Sequence, residues 1–112
     1  MIARVWHGWT TPADADDYER LLREEVLPDM AEQAGDGFCG AEVLRRAEED
    51  EVAFITILRF ASMDAVRRVV GDDVSTAHVP ASARTLLTRY EETVAHYKVA
   101  VETSAARTSP AD

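Results

Sequence analysis

The patterns along the chain fall in the order β-α-β-β-α-β. That order predicts an α+β domain of ferredoxin-like arrangement, an antiparallel four-stranded sheet with both helices on one face. Three observations carry the prediction. Strand-type segments open and close the chain. Two more stand back to back across the charged turn Ala47-Glu48-Glu49-Asp50. Two segments of helical spacing, each with a start signal, fill the gaps. A length of 112 residues fits one domain. Its extent is residues 1–101, and the Ala-, Ser-, Thr- and Pro-containing stretch 102–112 reads as a disordered tail.

Residues 2–8 alternate and are rich in strand formers. Thr11-Pro12-Ala13-Asp14 is a helix start, with Thr as N-cap, Pro at the first helical position and Asp in the first turn. Tyr18, Leu21, Leu22 and Val26 then recur at helical spacing and predict one buried stripe. Pro28 predicts a break or kink near Leu27, because proline has no N–H and crowds the preceding turn. A short continuation to Ala34 ends at Gly35-Asp36-Gly37. Phe38 to Arg46 reads as the second strand. Glu51 to Phe60 is the strongest strand, apolar enough to be central. Ser62-Met63-Asp64-Ala65 starts the second long helix, Val66, Val69 and Val70 face inward, and Gly71 stops it. Asp72 to Ala77 fits a short helical turn, Pro80 to Tyr90 fits either helix or ordered loop, and Thr93 to Val101 is the last strand.

Composition narrows the function classes. With 46% hydrophobic and 29% charged residues the chain has the apolar surface of a folded domain. Twelve basic against 21 acidic residues give a formal charge of −9, which argues against nucleic acid and against an anionic membrane surface. No apolar run approaches the roughly 18 residues of a membrane span, and the N-terminus lacks the basic and apolar regions of a signal peptide. The single cysteine, Cys39, cannot form an internal disulfide and reads as a small buried hydrophobe. A cytoplasmic location fits. One Cys, three His and the absence of a glycine-rich phosphate loop predict no metal and no other cofactor.

Parity sorts the strand residues onto two faces. The uniformly apolar sets (Ala3 and Val5 with His7; Ala53, Ile55 and Ile57; Tyr97, Val99 and Val101) are expected beneath the helices. The mixed set (Arg4, Trp6, Glu42, Thr56 and His96) is then expected on the open face, as a mostly apolar pocket with a few convergent polar groups. A two-helix, one-sheet domain of this length has nothing left to cover that open face, so a second copy of the chain is the expected partner.

Three stretches carry a family likeness: Met1-Ile-Ala-Arg-Val-Trp-His-Gly-Trp-Thr, Phe54-Ile-Thr-Ile-Leu-Arg-Phe-Ala-Ser-Met-Asp-Ala-Val and Val94-Ala-His-Tyr-Lys-Val. On these, over residues 1–101, the chain resembles the antibiotic biosynthesis monooxygenase domain family. The resemblance implies a homodimer whose two sheets pack into a dimeric α/β barrel. Some members oxidise polycyclic aromatic molecules to quinones without metal or flavin, and relatives open haem. The chain departs from both active patterns. The haem-degrading relatives carry an Asn on the first strand, a Trp on the second helix and a His after it. Here the first strand has no Asn, Val69 or Val70 stands near the Trp position, and His78 is a rough match. The quinone-forming members use a mid-chain Asn and Trp pair with Tyr and Arg nearby; this sequence contains no Asn at all, and Arg59 and Tyr90 are candidate counterparts for the other two.

The residues that fit such chemistry are few. His96, expected in the pocket, and His78, in a loop, are candidate proton acceptors, since imidazole exchanges protons near neutral pH. Each has a plainer reading, as a hydrogen-bonded structural or a solvent-exposed histidine. Trp6 offers an aromatic wall or simple interface packing. Arg4 and Arg59 offer paired donors for a carboxylate or phenolate, or salt bridges to some of the 21 acids. Thr56 and Tyr90 complete the expected substrate-binding set. His7 is expected to pack near the end of the first helix. The resulting expectation is a small-molecule enzyme for cofactor-independent oxygenation or cyclisation of an aromatic or polyketide-like substrate. The alternative is a non-catalytic dimeric module that binds a hydrophobic molecule or serves structure.

Overall fold

The computed structural model of the chain describes residues 1–103. The expected tail from residue 104 onward lies outside the described residues. Strand β1 (Ile2–Thr10) leads into α1 (Ala15–Leu21), a widened π-type turn (Leu22–Val26) and α2 (Leu27–Ala34). Then come β2 (Phe38–Ala47), β3 (Val52–Phe60), α3 (Met63–Val70), α4 (Ala81–Arg84), β4 (Leu87–Tyr90) and β5 (Ala95–Lys98). The sheet is antiparallel in the order β2-β3-β1, and both β4 and β5 pair with the remaining edge of β1. This is the ferredoxin-like α+β arrangement that the element order predicts.

The last edge is one strand interrupted. β4 pairs with the Gly8–Thr10 end of β1 and β5 with its Ile2–Val5 end. Between them the chain leaves the ladder: Thr93 bridges to Thr76, and the Val94 N–H donates to the Ser75 carbonyl at 2.8 Å. The segment after α3 is therefore hung on the sheet edge instead of forming the helical turn expected at Asp72–Ala77. The expected final strand Thr93–Val101 shortens to Ala95–Lys98 for the same reason.

The first helix starts where the sequence directs it, with the Asp14 N–H donating to the Thr11 hydroxyl at 3.1 Å. The break expected at Pro28 takes another form. The Leu27 N–H reaches back five residues to the Leu22 carbonyl, so the backbone widens before the proline and continues. Such a turn accommodates the N–H that Pro28 lacks. The Ser62 hydroxyl caps α3 by accepting from the Ala65 N–H at 3.3 Å. Two buried clusters fill the space between helices and sheet. One centres on Tyr18, Leu22 and Phe54, the other on Leu58, Phe60 and Val66. Tyr18 meets Phe54 edge to face at 4.9 Å between ring centroids.

The two faces are reversed from the parity argument on three strands. Along β3 the set Val52, Phe54, Thr56, Leu58 and Phe60 is buried beneath the helices, and Ala53, Ile55, Ile57 and Arg59 occupy the open face. Register carries this across the sheet: Arg4 lies opposite both Leu58 and His96, and Trp6 opposite Thr56. Arg4, Trp6, Thr56 and His96 do share a face, but it is the helix face. The physical reason is size. The rings of Phe54 and Phe60 fill the gap between layers, whereas the smaller Ala53, Ile55 and Ile57 make a flat apolar surface. Glu42 alone of the mixed set lies on the open face, opposite Ile57, and the parity expected from Phe38 fails because a bulge at Cys39 shifts the register. At that bulge Cys39 is exposed, not buried as its residue type suggests. His7 also sits on the open-face side, 2.9 Å from the Glu91 carboxylate, rather than against the first helix. Among the described residues no helix is long and apolar enough to cross a membrane.

Gly37 joins the helical half to β2, and a Cβ placed there falls 2.5 Å from the Cβ of Ala65 on α3. Gly37→Ala must push α3 off the sheet, so it should lower the unfolding free energy by about 1–3 kcal/mol. Urea denaturation at equal slope checks this; an unchanged midpoint would show that α3 tolerates the shift.

Candidate functional site

The sheet's helix face and the first helical pair enclose a cavity. β1 and β3 supply its floor through Arg4, Trp6, Thr56 and Leu58. Tyr18, Leu22, Val26, Leu27 and Met30 form the helical wall, and the widened turn carries Leu22 and Val26. The strap Ala77–Pro80 closes the third side, with Ala83 and Val94 beside it. The free volume is about 70 Å³, and the lining is predominantly apolar.

Arg4 is the unusual group on this floor. It is 6% exposed, and among the described residues no carboxylate pairs with it. Its Nη1 donates to the Val74 carbonyl at 2.8 Å and lies 2.9 Å from His96 Nε2. The expected salt bridge to an acid is therefore absent. Burial lowers the guanidinium's proton affinity, yet its very high ordinary pKa keeps it charged. Arginine can only donate, so His96 Nε2 must accept. That requires a neutral ring with its proton on Nδ1. Burial first, and the charge of Arg4 second, hold the His96 pKa below its ordinary 6.5.

The structure thus separates the residues singled out in the sequence. Arg4, Trp6, Thr56 and His78 line the cavity. His96 stands behind Arg4 and is not part of the lining. His78 is exposed at the strap, with Nε2 3.2 Å from the Asp73 carbonyl. Donation from Nε2 leaves the Nδ1 lone pair free. Trp6 donates its indole N–H to the Glu91 carbonyl at 2.6 Å, and Tyr90 packs on its ring at 5.7 Å between centroids, one layer out from the cavity. Arg59 is on the opposite face, 3.4 Å from Glu42 and folded over Gly40, so it takes no part in this site. That correction follows from parity: Arg59 is an odd position on β3, opposite Ala3.

Sequence reasoning missed Tyr18 and the strap residue Val79. Tyr18 had a signal, the one polar-tipped side chain in an otherwise aliphatic stripe. The strap had none, because its position depends on contacts with Arg4 and the sheet edge. Among the described residues no group of three or more His, Cys, Asp or Glu side chains gathers as a metal site.

Solved structures that superpose on this chain include oxygenases. SnoaB, a cofactor-independent oxygenase from Streptomyces nogalater, superposes with a TM-score of 0.62 at 19% identity, covering 91% of this chain and 95% of that one. A monooxygenase from the ActVA-Orf6 gene of Streptomyces coelicolor, solved with nanaomycin D, gives 0.58 at 17% identity, over 94% and 92%. A Bacillus cereus protein assigned as an antibiotic biosynthesis monooxygenase gives 0.64 at 12% identity, over 96% and 98%. The chain has the antibiotic biosynthesis monooxygenase fold. No protein-family profile matches its sequence, and no curated protein matches it either. At these identities the likeness is one of fold, which agrees with an Asn-free sequence lacking the usual Asn and Trp pair.

The Arg4–His96 contact generates a pH expectation. The folded state resists protonation of His96, whereas the unfolded chain takes up the proton near the ordinary value of 6.5. The contact's contribution is therefore complete above pH 6.5 and is lost as pH falls below it. In ¹⁵N-edited NMR at pH 7, His96 Nε2 should carry the shift of an unprotonated nitrogen, and its titration should lie below that of an unfolded-chain histidine. A protonated Nε2 at pH 7 would contradict the contact.

Proposed function

We propose that the chain is a small-molecule enzyme that oxygenates an electron-rich aromatic directly with dioxygen, in the cavity between helices and sheet. The observation that carries this reading is Arg4, a buried cation on the floor of an apolar cavity with no carboxylate partner among the described residues. A buried charge without a counterion is costly unless something bound there repays it. An aromatic that becomes an anion during reaction fits that need.

The chemistry is a short sequence. A proton leaves an activated ring C–H or a phenol O–H. His78, the one imidazole in the lining among the described residues, receives it at Nδ1. Arg4 meets the resulting ring anion, and His96 and the Val74 carbonyl hold Arg4 in place. The electron-rich carbon reduces dioxygen and forms a C–O bond as a peroxide. His78 returns its proton to the peroxide, and loss of water from the resulting hydroperoxide leaves a carbonyl. One dioxygen is consumed and one water released, with the substrate itself as reductant. SnoaB, as a cofactor-independent oxygenase on the same fold, supports this class of reaction. In this reading His96 is a positioning residue rather than the proton acceptor.

Anthrone is a suitable probe, since its conversion to anthraquinone follows this stoichiometry. Wild-type protein should consume dioxygen with anthrone faster than buffer does. His78→Ala should lower the rate by about 10²- to 10⁴-fold, and Arg4→Met by about 10²- to 10³-fold. Binding of anthrone with no rate above buffer would overturn catalysis and leave the second reading, a ligand-binding module, which the missing Asn and Trp pair favours.

The functional unit we propose is a homodimer, in the cytosol. The open face carries Val5, Ile55 and Ile57, with Leu44 47% and Tyr97 59% exposed. An apolar sheet face of this kind is stable in water when covered. Obligate dimers commonly bury more than about 2,000 Å². Light scattering at micromolar concentration should report twice 12.4 kDa, and Ile57→Asp should yield the single-chain mass. A wild-type single-chain mass would remove the dimer.

A further inference from the structure

We propose that the Tyr18 hydroxyl is a ligand-binding donor that fixes the orientation of an aromatic carbonyl or phenolic oxygen from the helix side of the cavity. This rests on the reading of the cavity as a ligand site and adds the group that sets which edge of the ligand points at α1. Tyr18 is among the largest fully buried side chains, at 1% exposed, and it lines the cavity. Among the described residues its hydroxyl makes no hydrogen bond. At the same time no fully enclosed side-chain nitrogen or oxygen among the described residues is left without a partner. The two observations agree if the hydroxyl keeps some accessible surface, and the free space that Tyr18 lines is that of the cavity.

Packing alone does not call for an oxygen here. The edge-to-face contact with Phe54 at 4.9 Å uses the ring, and phenylalanine would make it equally well. A buried tyrosine hydroxyl ordinarily finds a partner, and one left without it destabilises the fold. Burial pushes the Tyr18 pKa up to about 12, so the hydroxyl stays protonated and available as a donor. Arg4 on the opposite, sheet side of the same cavity is also donor-only. The matching ligand therefore presents acceptor oxygens toward both walls and apolar surface toward Leu22, Val26 and Leu58.

The test compares 1-tetralone, whose only polar group is an acceptor carbonyl, with the oxygen-free tetralin, by titration of intrinsic fluorescence of the full chain. Wild type should bind tetralone more tightly than tetralin. Tyr18→Phe should weaken tetralone by roughly three- to tenfold and leave tetralin unchanged, because one neutral hydrogen bond is lost. The unliganded variant should keep or raise its Tm, since the hydroxyl has no protein partner to lose. Equal tetralone affinity in both proteins would overturn the role of Tyr18 while leaving the cavity as a ligand site. A Tm lowered by about 4 °C or more would show the hydroxyl to be structural and overturn it as well. Failure of both probes to bind wild type would remove the cavity reading itself, and this inference with it.

Discussion

A guanidinium held beneath two helices, with no counterion among the described residues, sets the terms for much of this structure. Arg4 sits on the central strand, and its head finds two acceptors, one on the segment beside the sheet edge and one on a neighbouring strand. The segment is the strap after α3, which gives the Val74 carbonyl; the strand is β5, which gives His96. Satisfying Arg4 thus ties the strap and the last strand to the middle of the sheet. The strap's remaining anchors, Ser75 to Val94 and Ala77 to Glu92, continue the same line along the sheet edge. The interruption between β4 and β5 is the geometric consequence. An edge strand that paired with β1 throughout would have no free groups at Glu92 and Val94 to receive the strap.

Much of the fold was legible because local chemistry and global order agree. Ser62 is a helix cap in sequence and in space, Thr11 holds the turn before α1, and β3 is central as its run of apolar residues implies. The faces were not legible. Both parities of β3 are apolar, so periodicity cannot say which is inside. Side-chain volume decides: Phe54 and Phe60 occupy the deep interlayer gap, and Ile55 and Ile57 the flat side. The grouping of Arg4, Trp6, Thr56 and His96 survives the inversion because it depends on relative parity alone. Glu42 does not follow them, because the bulge at Cys39 adds a residue to one strand only.

The helical wall shows a second limit of sequence reading. Pro28 marks a disturbance, but a missing N–H can be met by a break, a kink or a widened turn. The chain takes the last, and Leu22 and Val26 on that turn become cavity lining. Helical spacing already places Leu22 and Val26 on the buried stripe; what it does not foresee is the widened turn, which rotates every side chain that follows it. Tyr18, one turn earlier, keeps its expected buried position. Its functional interest comes from the hydroxyl at the ring's end, which a hydrophobic stripe does not register.

The charge distribution bears on the form in which a ligand enters. A chain of formal charge −9 is a poor attractor of anions in bulk water. Arg4, shielded beneath the helices, exerts its field mainly inside the cavity. On the proposed function, a phenolic or enolic aromatic would enter as a neutral molecule and become an anion against the guanidinium, where the negative form is favoured. The free volume of about 70 Å³ is small against the roughly 300–1,000 Å³ of drug-sized sites, so a polycyclic ligand must push a wall outward. The strap Ala77–Pro80 is the wall without regular secondary structure, and its anchors to the sheet lie at or before its start, at Val74, Ser75 and Ala77. It also carries His78. In the proposed reaction the segment that a larger ligand would displace is thus the one that carries the proton acceptor, while Arg4 keeps its contact with His96 on the sheet.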